Sequence, residues 1–314
     1  MEHPFQRWID AARPRTQLWR TVLGAVIIVV VWMVWTLIAG VVAVRTGLTT
    51  REALMTVMGQ AGAVLTYPET VRATCVVFTT FWGLWFGVWA ALRLLSKRSF
   101  ASVVSHDRRV RLGQFAVGMA LAGGYLAVGV ALSAVSGMAP HWSNLPVETW
   151  LISFAPLAIL IFLQSAGEEL FFRGYLTQQL AARVRHPLVW GLLPSLAFGI
   201  AHAANGGGDL MFGVYYVVAA SMLGMVMTAT VWRTGGLSAA MGFHFVNNIG
   251  ALLVMSVAGS SPPVSLFVQS EADAVGSAPT DLLMLGLLLA FVLSPLAPLP
   301  KGQALRRNDR RAAP

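Results

Sequence analysis

The sequence predicts an all-α, polytopic transmembrane bundle of about eight helices. Two observations carry this. Of the 314 residues, 56% are hydrophobic and only 11% charged, against roughly 25% charged in a soluble domain. Several apolar runs also reach the roughly 20 residues that a helix needs to cross a hydrocarbon core, too many for a soluble protein with one anchor. The formal net charge of +9 suggests nucleic acid at first sight. The basic residues flank apolar runs, however, where positive charge fixes membrane orientation, so no nucleic-acid partner is expected. The partner is the lipid bilayer itself.

The spans read in order as 21–44, 73–95, 113–136, 150–182, 188–204, 210–232, 236–257 and 281–298. The first follows Arg7, Arg13, Arg15 and Arg20. It is too long and Trp-rich for a cleaved signal peptide, so retention is expected. Eight crossings leave both termini on one side. That side would hold the N-terminal arginines, Arg93, Lys97, Arg98, Arg108, Arg109, Arg111, Arg173, Arg183, Arg185, Arg233 and the basic tail from Lys301. Arg45, Arg51 and Arg72 fall opposite, so both termini are predicted to be cytoplasmic.

Residues 258–280 read as an external loop with a short interfacial piece at 266–268, and the tail beyond Pro300 as disordered. The chain divides into an N-terminal region of three spans (1–147), a helical core (148–257), and a final loop, span and tail (258–314). No internal repeat is evident. Cys75 is the sole cysteine, so no intrachain disulfide is available, and its apolar setting suggests an inert buried thiol.

Chemistry concentrates in the fourth, fifth and seventh spans. The stretch AGEELFFRGYL puts Glu168 and Glu169 inside an apolar run, where each charge costs several kcal/mol. Glu169 and Arg173 stand four apart with the acid first, the favourable order for an ion pair on one helix. Glu168 shares its stripe with Gln164, Phe172 and Tyr175 and finds no cation there. An uncompensated intramembrane acid marks a functional site.

The basic, proline-ended turn at 183–187 reflects position 168 onto His202 of LAFGIAHAANGG. A close antiparallel hairpin would therefore set Glu168 and His202 face to face. His244 and Asn248, four apart in SAAMGFHFVNNIG, share one face of another span. Each of these histidines and asparagines read singly is more simply interhelical glue. A carboxylate, two histidines and an asparagine at compatible depths make a water-activating hydrolytic site the sharper reading.

Glu168-Glu169-x-x-x-Arg173, Phe198-x-x-x-His202 and His244-x-x-x-Asn248 resemble, in order and over roughly residues 150–255, the three motifs of the CAAX prenyl endopeptidase-like intramembrane proteases. That family also contains bacteriocin-processing enzymes. The resemblance implies hydrolysis of peptide bonds in membrane-embedded or lipid-associated substrates, in a helical bundle open to water from the cytoplasm. It implies that Glu168 activates the attacking water with help from His202, while His244 and Asn248 stabilise the oxyanion. Glu169 and Arg173 would orient the site, and Phe198 would pack behind His202.

The family is classed with the metalloproteases. Glu168, His202 and His244 offer the ligand set of an open site for a divalent metal such as zinc. A metal-free glutamate mechanism fits the sequence at least as well, and the HExxH arrangement is absent.

Two rival readings stand beside this one. Gly206-Gly207-Gly208-Asp209 matches the GxGD pattern of intramembrane aspartyl proteases, but the other aspartates, Asp281 among them, are expected at ends or in loops. A non-proteolytic membrane protein, either a proton-coupled transporter or a scaffold or immunity-type relative, would also keep an intramembrane glutamate near histidines. The Arg-rich loops and the absence of an organellar presequence make a bacterial plasma membrane the expected setting.

Overall fold

The structure, a computed structural model, describes residues 3–206, 209–258 and 264–300. Its helices are α1 (Pro4–Asp10), α2 (Leu18–Arg45), α3 (Arg51–Val57), α4 (Tyr67–Ser96), α5 (Leu112–Val135), α6 (Val147–Arg183), α7 (Leu188–Asn205), α8 (Leu210–Thr234), α9 (Ser238–Val254) and α10 (Glu271–Leu293). Seven of these are long and apolar enough to cross a membrane, and α9 is a shorter apolar helix over the remaining expected span. The fold is a polytopic all-α bundle. The outward side of α2 carries exposed Trp19, Met33 and Leu37, as suits a helix facing hydrocarbon.

Four expectations need correction. The last helix begins at Glu271, ten residues before the expected 281, and ends at Leu293. Ser270 starts it by accepting from the Asp273 backbone N–H at 3.1 Å, and Glu271 and Asp273 put negative charge in the first turn, where the helix dipole favours it. Pro279, which read as a loop residue, sits inside this helix. Asp281 consequently lies in mid-helix, not at the start of the span.

The expected external loop is correspondingly shorter, and part of it is paired. Strand β3 (Phe267–Gln269) lies between β1 (His141–Trp142), antiparallel to it, and β2 (Met255–Val257), parallel to it. The interfacial piece expected at 266–268 is therefore a sheet strand. Residues 259–263, the glycines 207 and 208, and the basic tail fall outside the described residues.

The third correction concerns Arg173. The charge pattern groups it with residues at span ends, but it lies fully buried within α6. Cys75 is half-buried, not buried, and lines an apolar groove of about 320 Å3 with Trp35, Ile38, Val42 and Thr79.

Ahead of the first span, α1 packs its Phe5, Trp8 and Ile9 into the core. The Trp8 indole donates to the Val103 carbonyl at 3.0 Å, and the Gln178 amide donates to the carbonyls of Trp8 (2.8 Å) and Ser102 (2.9 Å). The Arg-rich N-terminus is thus tied to the end of α6.

Two close helix contacts position the helices that bear the candidate residues. A Cβ on Gly199 of α7 would stand 2.1 Å from Ser221 Oγ and 2.3 Å from the Val217 carbonyl of α8. One on Gly242 of α9 would stand 2.1 Å from the Phe115 carbonyl of α5. Small residues let helix backbones touch in this way. Gly199→Ala is expected to destabilise the protein by about 1–3 kcal/mol by forcing α7 off α8. Thermal unfolding in detergent checks this beside Gly123→Ala, whose new Cβ meets nothing within 4 Å. Equal melting temperatures for the two variants would refute the contact.

Candidate active site

Glu168 and Glu169 close the α-helical part of α6. The following residues, Leu170–Thr177, form a π-helical segment, of the kind often found at functional sites. Glu169 Oε1 accepts from Arg173 Nη1 at 2.8 Å and from His244 Nδ1 at 2.9 Å, all three side chains being at most 1% exposed. The ion pair expected from four-residue spacing is present, with a histidine from α9 added to it. With Nδ1 against a carboxylate, His244 carries its proton there and leaves Nε2 free.

That Nε2 lies 3.5 Å from Glu168 Oε2. Glu168 therefore has a histidine neighbour from another helix, as expected, but it is His244 of α9 and not His202 of α7. At 3.5 Å the contact is long for a hydrogen bond, and Glu168 Oε2 has no hydrogen-bond partner among the described residues.

Phe198 of α7, 1% exposed, lies at the junction of the remaining groups. Its ring centroid is 4.4 Å from that of His202 and 5.5 Å from that of His244, and the Arg173 guanidinium carbon stands 4.4 Å above it. A cation over an aromatic face gains electrostatic attraction that grows when both are dry. This offsets part of the cost of Arg173, whose Nε and Nη2 make no hydrogen bond among the described residues.

His202, half-buried, turns Nδ1 to the Phe198 carbonyl at 2.7 Å. The structure brings His202 and His244 onto one phenylalanine, but places no ion-pair contact between Glu168 and His202. The reflection about the 183–187 turn assumed two regular α-helices. Both arms carry π-helical segments, Leu170–Thr177 and Leu188–Leu192, and these change the number of residues per turn on each side.

Asn248, one turn beyond His244, donates to Gln164 Oε1 at 2.9 Å and lies 3.3 Å from Ser165 Oγ. Asn247 donates to Asn248 Oδ1 at 3.2 Å. Helices α6 and α9 are thus joined by two rungs a turn apart, Gln164–Asn248 and the glutamates with His244. Gln164 was noticed in the sequence only as a stripe neighbour, and Ser165 not at all. Their signal was available in the four-residue spacing from Gln164 to Glu168, which matches that from His244 to Asn248.

Among the described residues, no three histidine, cysteine, aspartate or glutamate side chains converge to hold a metal ion. Both imidazoles do engage Nδ1 and free Nε2, as metal-bound histidines do. Glu168 and His244 meet, and His202 stands apart from them on the other side of Phe198.

The aspartyl reading gains the intramembrane aspartate it lacked and still finds no pair. Asp281 accepts from Tyr215 and Ser277, both at 3.1 Å, while Asp209 caps α8 through the Phe212 N–H at 2.7 Å. No contact joins the two among the described residues.

Residues 149–250 match the family model described as type II CAAX prenyl endopeptidase Rce1-like. The uncharacterized protein YyaK of Bacillus subtilis (strain 168) is 29% identical over 200 residues, covering 60% of this chain and 63% of the Bacillus protein. No solved structure matches the chain. The matched segment contains Glu168, Glu169, Arg173, Phe198, His202, His244 and Asn248. Over residues 149–250 this polytopic, all-α chain is thus similar to the type II CAAX prenyl endopeptidase Rce1-like family.

Proposed function

We propose that this chain is an intramembrane endopeptidase in which Glu168 activates water for attack on a scissile peptide carbonyl. The observation that carries the reading is the buried array Arg173–Glu169–His244–Glu168. Arg173 and the His244 Nδ1–H both bond Glu169 Oε1 in a dry site. Glu169 fixes the His244 tautomer, and Nε2 then faces Glu168 Oε2, which makes no hydrogen bond among the described residues.

Glu168 takes a proton from water as its oxygen bonds to the carbonyl carbon, and the carbonyl π electrons move onto oxygen. Returning that proton to the amide nitrogen lets the C–N bond break. His244 Nε2 stands close enough to share the proton with Glu168. His202, half-exposed beyond Phe198, connects the site to water and assists the exchange. Every step uses this chain's own residues.

The family match supports CAAX-type processing as the nearest chemical precedent. Substrates would be membrane-embedded or lipid-associated peptides, such as leader peptides or membrane-anchored regulators. A bacterial plasma membrane, with both termini cytoplasmic, is the setting that the charge distribution favours.

The test is cleavage of a quenched-fluorescent membrane-peptide library by purified protein and by Glu168→Gln, with and without chelator. Cleavage lost in the variant supports the reading, and sensitivity to chelator would bring a metal into it. Proton-coupled flux in proteoliposomes without cleavage would replace it with transport.

A further inference from the structure

The arginine-rich end of the bundle holds a cation that the protein leaves half satisfied. Arg98 follows the π-helical turn Leu92–Ser96 that closes α4. Its Nη1 donates to Ser102 Oγ at 3.2 Å and to Gln178 Oε1. Gln178 is fully buried, and its own NH2 group is spent on the Trp8 and Ser102 carbonyls. A guanidinium is planar and rigid, so holding Nη1 also fixes where the opposite edge points.

That edge carries Nε and Nη2, whose N–H bonds run parallel and fit two oxygens of one oxyanion. Neither atom makes a hydrogen bond among the described residues, although both are sealed from solvent. The Ser99 hydroxyl, next in the chain, is buried and unpartnered as well. Arg20 Nη1 donates to the Leu95 carbonyl at 2.7 Å, three residues before Arg98, and Arg20 Nε also lacks a partner. No carboxylate pairs with Arg20, Arg93, Lys97 or Arg98 among the described residues. Burial pushes the Arg98 guanidinium down to about 10, so it stays charged at neutral pH. A covered charge with empty donors and no counter-ion in the chain calls for an anion from outside it.

The surroundings say what kind of anion. The membrane helix α4 ends at Ser96, two residues earlier. Leu94 and Trp19, on the two helix ends that Arg20 joins, are 62% and 56% exposed. Tryptophan favours the membrane–water interface. An anion at this turn therefore has hydrocarbon on one side and water on the other, which is the position of a lipid phosphate. Arg98 as a whole is only partly buried, so a small side-chain movement brings its free edge to that surface.

We infer that the Nε–Nη2 edge of Arg98, with the Ser99 hydroxyl, binds the phosphate of a membrane phospholipid, and that Arg20 is a second cation at the same turn. The bound lipid then braces the ends of α2 and α4 and, through Gln178, the end of α6.

The test titrates purified full-length protein in detergent with phosphatidylglycerol, diacylglycerol of the same chains and inorganic phosphate. Binding is read by native mass spectrometry and by melting temperature. Phosphatidylglycerol is expected to bind wild type and raise its melting temperature. Diacylglycerol, which lacks the phosphate, should bind at least about tenfold more weakly. Arg98→Gln should weaken phosphatidylglycerol binding about tenfold or more, the range for hydrogen bonds to a charged group. Arg98→Lys keeps the charge but not the paired donors, and should stay nearer to Arg98→Gln than to wild type. Arg185→Gln removes an exposed charge at the same end and should bind within about threefold of wild type.

Equal binding of phosphatidylglycerol and diacylglycerol by wild type overturns the proposal, whether or not the variants fold. An Arg185→Gln loss as large as that of Arg98→Gln also overturns it, because the attraction would then be one of overall charge. Inorganic phosphate that displaces phosphatidylglycerol at equal concentration gives the site to a free anion and overturns the lipid assignment. No cleavage enters these measurements, so they stand whatever becomes of the Glu168 reading.

Discussion

A Glu168→Gln variant is expected to cleave membrane peptides about 10³-fold more slowly in kcat, with KM nearly unchanged, which is the range for losing a positioned general base. Glutamine keeps the size of the side chain and can still face His244 Nε2 across the 3.5 Å gap. It cannot take a proton from water. Because Glu168 is not bonded to Arg173, the variant should fold as the wild type does. Glu169→Gln should behave differently. It removes the acceptor of both Arg173 and His244, so stability and activity fall together. Steady-state kinetics and thermal unfolding of the two variants side by side check this contrast. A Glu168→Gln enzyme with normal kcat would sink the mechanism.

Arg173→Met is expected to destabilise the protein by about 3–5 kcal/mol, because removing one member of a buried pair strands the other. Glu169 is fully buried, and its Oε2 has no hydrogen-bond partner among the described residues. Only His244 would remain to balance its charge. Methionine occupies much of the arginine volume and packs well against Phe172 and Phe198, so the loss should be electrostatic more than steric. The double variant Arg173→Met with Glu169→Gln should recover a substantial part of the loss, since replacing a whole buried pair costs far less than breaking it. Unfolding midpoints in detergent for both single variants and the double decide this. Additive losses would show that the pair does not act as a unit.

The sequence was most legible where structure is local. Apolar runs of sufficient length predicted α2, α5, α6, α7 and α8 within a few residues, and α4 except for its first six, because a helix in hydrocarbon must satisfy its backbone internally. It was less legible at α10. There Pro279 and the acids before it read as loop, while Ser270 and its first-turn acids in fact start the helix. The same misreading puts Asp281 at the start of the span, when it accepts from Tyr215 of α8 in mid-helix.

Within the site the boundary is equally clear. Residue identities and four-residue spacings by themselves determined the Glu169–Arg173 pair, the shared face of His244 and Asn248, and the grouping of all seven motif residues in three helices. Such contacts depend only on helical periodicity, which every residue of a regular helix obeys. Tertiary structure alone decided which histidine meets Glu168. It also decided that Glu169 is shared between an arginine and a histidine, and that Asn248 gives its donors to Gln164 and Ser165. These depend on the register between helices, which is set by the π-helical segments in α6 and α7 and by the close approaches at Gly199 and Gly242. A shift of one residue turns a side chain by about 100°, so a reflection about a loop cannot name the partner across a helix pair.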